Sequence, residues 1–371
     1  MGNKKTYFIT GGGTGGHIYP AIAVADELLK HETTDKIYYV GNPNNLEACI
    51  VKDKNYDFLP VISFGMPRKF NFKLVKWTCR MICGWLKCCN YIKKYKPDAI
   101  FGTGGYVSAP VLLAGMTMKI PFVMHDCDAN PGLVTRKLAP YAKSISIAFE
   151  QAKKKLNNPN CNINGNPIRS KFKTLSKKEA RTNLGLDNKL TLCIMGGSQG
   201  AQTINNACAE ILKTLSKKYN VQIIFQTGKR NFEQVIEDIE KIYPEYKNDK
   251  NIIVKPYFED MATVLKACDI AVSRAGSLSI SEICASGVAS ILIPYPHAAA
   301  DHQRKNAKCM LNSGAGLYLE DADTTAEKLL ELLEKLITDK QMLENIQQEA
   351  LNLAKYDGVQ KIVEQIEQAC N

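Results

Sequence analysis

The sequence predicts two doubly wound α/β domains in tandem, each built on a parallel sheet. Three observations carry that prediction. Strand-like and helix-like runs alternate along the 371 residues, the order that sandwiches a parallel sheet between helix layers. Each half opens on a strand that runs into a glycine-rich loop and then a helix. Between the halves, Gly165-Asn166-Pro167 breaks secondary structure and sets a boundary near Asn164–Ile168. The length suits two domains of ordinary size.

In the first half the expected strands are 5–10, 36–40, 98–101, 121–125 and 144–148. The first ends in Gly11-Gly12-Gly13-Thr14-Gly15-Gly16-His17, with a helix expected from about Pro20. Glycines let the backbone turn sharply and approach a ligand. The helix behind them offers free N–H groups and a positive dipole end, which favour phosphate. A histidine at such a site is a general-base candidate. Gly11-x-Gly13-x-x-Gly16 also satisfies the dinucleotide fingerprint. That fingerprint wants an acid at the end of the second strand for the ribose hydroxyls. Here that strand runs into Gly41-Asn42-Pro43-Asn44, with neither Asp nor Glu. The loop is therefore read as a diphosphate cradle of another kind, not as a nicotinamide or flavin site.

In the second half the expected strands are 190–195, 221–226, 251–254, 269–272 and 289–293. The first leads into Gly196-Gly197-Ser198-Gln199-Gly200-Ala201, a second anion cradle at a helix start. The fourth leads into Arg274-Ala275-Gly276-Ser277-Leu278-Ser279-Ile280-Ser281-Glu282. Ser277 and Ser279 would cap the next helix or bind phosphate through it. Glu282 is a solvated helix residue, a capping-box partner, or the acceptor for both ribose hydroxyls of a nucleotide. The nucleotide fits this half better than the first. Farther on, Asp301-His302-Gln303-Arg304-Lys305-Asn306 is rich in paired donors and acceptors and suits sugar hydroxyls. Ligands bind at the carboxyl ends of such strands. One ligand per domain, meeting in a cleft, is a group-transfer geometry.

Composition narrows the classes. Hydrophobic content of 45% and charged content of 23% are those of a soluble globular protein. The 13 cysteines form no Cys-x-x-Cys pair, and no signal peptide is expected, which points to reduced thiols. No segment reaches the ~18 apolar residues that span a bilayer. The net charge of +11 is lopsided. Residues 1–170 hold 23 Lys/Arg against 11 Asp/Glu, and the remainder is nearly neutral. Residues 68–96 alone hold nine basic side chains and no acid, interleaved with Phe70, Phe72, Trp77, Ile82 and Trp85. Apolar anchors with Lys/Arg flanks are what an interfacial helix needs on an anionic leaflet. Phe70, Trp77, Arg80 and Trp85 are the expected membrane contacts; the alternative is a partly buried helix with a solvated basic face. No nucleic-acid recognition motif accompanies the stripe.

Six motifs in one order resemble the MurG family. They are Gly12-Gly13-Thr14-Gly15-Gly16-His17, Gly102-Thr103-Gly104-Gly105-Tyr106-Val107-Ser108-Ala109-Pro110, Gly165-Asn166-Pro167-Ile168-Arg169, Gly196-Gly197-Ser198-Gln199-Gly200-Ala201, Ser279-Ile280-Ser281-Glu282, and the turn ending at Gln303 and Asn306. The resemblance covers nearly the whole chain. It implies a GT-B fold, with two Rossmann-like domains facing across a cleft, and a peripheral N-acetylglucosaminyltransferase that makes lipid II from lipid I. The donor would be UDP-N-acetylglucosamine and the acceptor the undecaprenyl-linked muramoyl-peptide. The place would be the cytoplasmic face of the bacterial plasma membrane, among the proteins of wall synthesis that serve cell shape and division.

Residue by residue, the resemblance puts the acceptor diphosphate on Thr14, Gly15, Gly16 and His17, with Gly104, Gly105 and Tyr106. Arg169 and Ser198 would lie near the donor phosphates, and the Phe258 backbone would read the uracil. Ser277, Leu278 and Ser279 would hold phosphate, Glu282 the ribose and Gln303 the sugar. The last helix, about 358–371, would return to the first domain, giving domains of 1–165 and 166–357. No cofactor and no metal are expected. One departure stands out: Asp128 replaces an active-site Asn in His125-Asp126-Cys127-Asp128. A carboxylate only accepts, whereas an amide also donates. Asp128 would act as a base, mimic the amide with a raised pKa, or mark a changed substrate preference. Asp126-x-Asp128 also spells a divalent-metal motif, against which the GT-B resemblance argues. A sister enzyme with another lipid-linked acceptor, or a silent membrane-associated scaffold, are the rival readings.

Overall fold

The computed structural model describes residues 4–52, 54, 56–67 and 72–370, with 72 and 73 described by backbone alone. Phe70 therefore lies outside the described residues. The chain divides into two compact units, one ending at Ile168 and resuming at Asp357, the other spanning Arg169–Tyr356.

The first unit carries a seven-stranded parallel sheet in the order β3-β2-β1-β4-β5-β6-β7. Its strands are β1 (Lys5–Thr10), β2 (Thr34–Gly41), β3 (Asp57–Pro60), β4 (Ala99–Gly102), β5 (Phe122–Asp126), β6 (Ser144–Ile147) and β7 (Cys161–Ile163). The helices between them are α1 (Gly15–Leu28), α2 (Leu46–Val51), α3 (Phe72–Tyr95), α4 (Ser108–Met118), α5 (Leu133–Leu138) and α6 (Glu150–Lys153). Alternation along each strand sends side chains to opposite faces. Phe8, Ile100 and Phe122 pack under α3 and α4 with Cys88, Ile92 and Leu112. Tyr7, Ile9 and Phe101 pack under α1 and the C-terminal helix with Ile18, Ile22 and Ile366.

The second unit carries a six-stranded parallel sheet in the order β10-β9-β8-β11-β12-β13. Its strands are β8 (Thr191–Met195), β9 (Gln222–Gln226), β10 (Ile252–Lys255), β11 (Ile270–Ser273), β12 (Ala289–Leu292) and β13 (Leu317–Tyr318). Its helices are α7 (Lys171–Thr174), α8 (Lys177–Leu184), α9 (Gln202–Lys217), α10 (Phe232–Ile242), α11 (Met261–Ala267), α12 (Ser277–Ser286), α13 (His302–Asn312), α14 (Ala326–Thr338) and α15 (Lys340–Leu353). The last helix, α16 (Gly358–Ala369), belongs to the first unit.

All ten expected strands are present, each within a residue or two of its expected bounds. Three short edge strands, β3, β7 and β13, were not expected. They are four, three and two residues long, and β3 contains both Asp57 and Pro60, so no apolar run marks them. One boundary is corrected. The helix after the first glycine loop starts at Gly15, not near Pro20, and holds Pro20 inside it. The Thr14 carbonyl accepts from both His17 and Ile18, which starts the helix upstream of the proline.

In a doubly wound sheet, ligands bind where the strand order reverses. In the first unit that point lies between β1 and β4, whose last residues Thr10 and Gly102 pair. In the second it lies between β8 and β11, where Met195 pairs with Ser273. Each pair of strands delivers two of the predicted loops side by side.

Candidate active site

In the first unit, His17 stands in the first turn of α1, and Thr103 Oγ1 donates to its carbonyl at 2.6 Å. The imidazole lies against the loop after β4. A side chain on Gly104 would meet His17 Cε1 at 3.4 Å, and one on Gly105 would meet Cδ2 at 3.3 Å. Gly104 and Gly105 both have positive φ, so sterics and backbone both demand glycine. Tyr106 lies over the first glycine loop, its Cε1 3.3 Å from where a Cβ on Gly13 would stand. The N–H groups of Thr14, Gly15 and Gly16 precede the first N–H that donates within the helix, that of His17 to the Thr14 carbonyl. The acceptor-side residues expected from sequence thus come together.

The loop after β5 closes on His17 from another side. Cys127 Sγ lies 3.9 Å from His17 Nδ1 and 3.7 Å from Asp128 Oδ2. His125 is fully buried, with Nδ1 on Ser146 Oγ at 3.1 Å and Nε2 on Asn166 Oδ1 at 3.0 Å. Burial lowers its pKa to about 4, so it is neutral and structural. Asn166 also donates to the Cys127 carbonyl, which explains the Gly-Asn-Pro motif as a brace for this loop. Asp126 holds the turn that follows β5. Its Oδ1 accepts from the Asp128 N–H at 3.2 Å and its Oδ2 from the Gly132 N–H at 3.0 Å. Burial raises its pKa. The Asp126 carboxylate thus braces the loop, and no cluster of three metal-ligating side chains occurs among the described residues.

Sequence reasoning missed Glu47 in α2. It is fully buried, and its Oε2 accepts the Gly13 N–H at 3.2 Å. The glycine loop is therefore partly occupied by a carboxylate of the protein itself. Glu47 follows Asn-Pro-Asn-Asn-Leu, a stretch with no apolar periodicity to betray burial.

In the second unit, Ser277, Leu278 and Ser279 form the first turn of α12, with Gly276 at the N-cap. Neither serine caps the helix, which corrects that alternative. Glu282 lies too far along the helix to form a capping box. Its side chain is largely but not fully covered, at 18% exposure, and this desolvation raises its pKa to about 7, while Arg169 pulls the other way from 3.6 Å. Ser198 is exposed in the turn after β8. That turn closes through the Gly200 N–H and the Gly197 carbonyl at 3.1 Å, and α9 starts only at Gln202. The cradle there is a turn, not the helix's first residues. The Phe258 N–H is held by Gln226 Oε1 at 2.9 Å, which fixes the backbone at that position. Gln303 Oε1 accepts the Tyr295 N–H at 2.9 Å, which fixes the orientation of its amide. Asn306 is buried and donates to the Ala275 carbonyl, bracing the loop before α12. Arg274, also missed as a brace, is tied to Asp321 and to the carbonyls of Ile293 and Pro294.

On α3, the expected membrane residues divide. Trp77 and Trp85 are half-buried, and their indole N–H groups donate to the Phe64 carbonyl at 2.8 Å and Thr117 Oγ1 at 3.1 Å. Arg80 stacks on Phe64 at 4.5 Å. Val75, Ile82 and Leu86 are exposed instead, together with Phe64 and Met66. Among the described residues, no helix is long and apolar enough to cross a membrane.

Two parallel-sheet units, each with paired loops at its switch point, have the architecture of the GT-B fold, and the family matches make the protein a glycosyltransferase. The glycosyltransferase family 28 N-terminal domain matches residues 7–147 and the family 28 C-terminal domain residues 191–366. A protein of Halothermothrix orenii is 36% identical over 356 residues, covering 93% of this chain and 94% of its own length. One of Bacillus subtilis is 34% identical, covering 97% and 98%. Both bear the name UDP-N-acetylglucosamine–N-acetylmuramyl-(pentapeptide) pyrophosphoryl-undecaprenol N-acetylglucosamine transferase. The crystal structure of Acinetobacter baumannii MurG aligns with a TM-score of 0.79 at 27% identity, covering 98% of this chain and 99% of that one. A UDP-GlcNAc 2-epimerase from Neisseria meningitidis shares the fold at 14% identity, with a TM-score of 0.69 and coverage of 98% and 100%. The chain belongs to the MurG family of glycosyltransferases.

Proposed function

We propose that this enzyme transfers N-acetylglucosamine from UDP-N-acetylglucosamine to the muramoyl 4-hydroxyl of lipid I, forming lipid II for peptidoglycan. The observation that carries the reading is His17 in the first turn of α1, walled by Gly104, Gly105 and Cys127, in a chain whose relatives are named for that reaction.

The chemistry is a one-step inverting displacement. His17 takes the proton of the 4-hydroxyl as that oxygen attacks the anomeric carbon. The bond from that carbon to the UDP oxygen breaks, and UDP leaves with the electron pair. The N–H groups of Ser277, Leu278 and Ser279 meet the growing negative charge, with Ser198 and Arg169 beside them. Glu282 accepts the ribose hydroxyls, the Phe258 carbonyl reads the uracil and Gln303 orients the sugar. On the acceptor side, Thr14, Gly15, Gly16 and Tyr106 hold the diphosphate.

A lipid-linked acceptor requires docking at a membrane. The exposed apolar residues of α3 and of segment 62–66, with Lys76 and Lys87 among them, would seat the protein on the anionic cytoplasmic face of the plasma membrane. Gly65 stands beside Tyr106, so this surface is continuous with the acceptor loop.

The test is UDP release with product mass, using UDP-N-acetylglucosamine and a short-chain lipid I analogue. Product heavier by one N-acetylhexosamine supports the reading. UDP-sugar binding without transfer would reassign the acceptor to another lipid-linked sugar, the reading that Asp128 favours. His17→Ala should lower kcat at least about a hundredfold with little change in donor KM; equal loss of both would remove His17 from the role of base.

A further inference from the structure

Asn45 holds the N-cap position of α2, where an asparagine side chain ordinarily accepts an N–H of the first turn. Here it does not cap. Its Nδ2 donates instead to Glu47 Oε1 at 3.4 Å and to Tyr106 Oη at 3.1 Å. The asparagine-rich exit of β2, where a dinucleotide enzyme would carry an acid, thus faces the acceptor loop.

The direction of these bonds is forced by Glu47. Its Oε1 also accepts the Asn42 N–H at 3.1 Å, and its Oε2 accepts the Gly13 N–H at 3.2 Å. Both oxygens of this buried group face donors, so it acts as an acceptor throughout. The Asn45 amide must then turn its nitrogen toward Glu47. That same nitrogen faces the Tyr106 oxygen, so the phenol accepts from Asn45, and its own hydrogen is left to donate elsewhere. The hydroxyl lies 3.8 Å from where a Cβ on Gly13 would stand, over the glycine loop that leads into the first turn of α1. A donating phenol over a glycine loop that opens a helix is complementary to an anionic oxygen.

We infer that Glu47 and Asn45 are positioning residues that set the Tyr106 hydroxyl as a hydrogen-bond donor to the acceptor diphosphate. The inference rests on the acceptor-side reading given above. Glu47 performs two tasks through one buried carboxylate: it fastens the glycine loop at Gly13 and fixes the amide that polarises Tyr106. A side chain on Gly12 would strike Glu47 Oε1 at 2.5 Å, so loop and carboxylate are packed as one piece.

A double-mutant cycle on the full-length enzyme tests this, with UDP-N-acetylglucosamine and a short-chain lipid I analogue. Asn45→Ala should raise acceptor KM about fivefold to tenfold, and Tyr106→Phe at least tenfold, the scale of one hydrogen bond to a charged group. Donor KM should stay unchanged in both. If Asn45 acts through the hydroxyl, the double variant should match Tyr106→Phe within about twofold. Asn45→Asp, which keeps the shape but accepts the phenol hydrogen, should raise acceptor KM beyond Asn45→Ala. Losses that multiply in the double variant, or an acceptor KM indifferent to Asn45, overturn the relay. A wild-type enzyme that makes no product from this analogue overturns the acceptor reading and the relay with it, an outcome distinct from wild-type transfer with multiplied losses.

Discussion

Arg169 Nη2 stands 3.6 Å from Glu282 Oε1, joining the first residue of the donor unit to the middle of α12. Burial opposes the charge on Glu282 and the guanidinium favours it, and burial dominates. The result is a carboxyl poised at about 7, half ionised at neutral pH.

That poise predicts a pH dependence of donor binding. Only the ionised carboxylate accepts both ribose hydroxyls, so donor KM should fall as pH rises through about 7. Glu282→Gln should raise donor KM and flatten this limb. Stability runs the opposite way. The folded state holds the proton more tightly than the unfolded chain, so this contribution is full below the ordinary Glu range and is lost as pH rises toward about 7. Donor KM measured across that range, in wild type and Glu282→Gln, checks the assignment; parallel profiles would remove it.

His125 predicts the reverse pH sign for stability. Its pKa of about 4 lies below the unfolded value, so its contribution is present above the ordinary His range and is lost as pH falls toward about 4. His125→Phe would leave Ser146 Oγ and Asn166 Oδ1 without the imidazole, at a cost of about 2 kcal/mol. Urea unfolding at neutral and mildly acidic pH should show wild type weakening with acid and the variant weakening less.

The legible part of this protein was what depends on local pattern. Apolar runs such as Leu190 to Met195 fixed the central strands, and the glycine loops after β1 and β8 fixed the switch points. Motifs carried Thr14, His17, Gly104 and Tyr106 to one place because all sit at the ends of adjacent strands β1 and β4. What stayed hidden depends on tertiary context. Glu47 sits in a polar stretch and is buried only because the glycine loop folds over it. The two tryptophans look like interfacial anchors by composition, yet their N–H groups found acceptors in the body of the unit. Pro20 marks a helix start by rule, but the Thr14 carbonyl begins the helix earlier.

Asp128 predicts a gain on restoring the amide. Its loop is held by Asp126 and Asn166, and its Oδ2 lies 3.7 Å from the Cys127 thiol that contacts His17. A carboxylate there adds negative charge beside an anionic acceptor. Asp128→Asn should lower acceptor KM about fivefold, the ~1 kcal/mol scale of one screened charge, with donor KM unchanged. A loss of kcat instead would make Asp128 a working part of the proton path.

The face of α3 predicts which side chains seat the protein on lipid. Val75, Ile82 and Leu86 are exposed along one helix that carries no acid and is rich in Lys and Arg. Each buries apolar area only when something covers it, and a bilayer interface covers it without a partner protein. Changing all three to Ser should weaken flotation with anionic vesicles at least about tenfold while leaving thermal stability nearly unchanged, because none belongs to the core. Trp85→Phe should do the opposite. It removes the bond to Thr117 and disturbs packing against the core of the first unit, so it should lower the melting temperature and leave vesicle binding largely intact. Equal binding to anionic and zwitterionic vesicles would show that the basic residues of α3 are merely solvated.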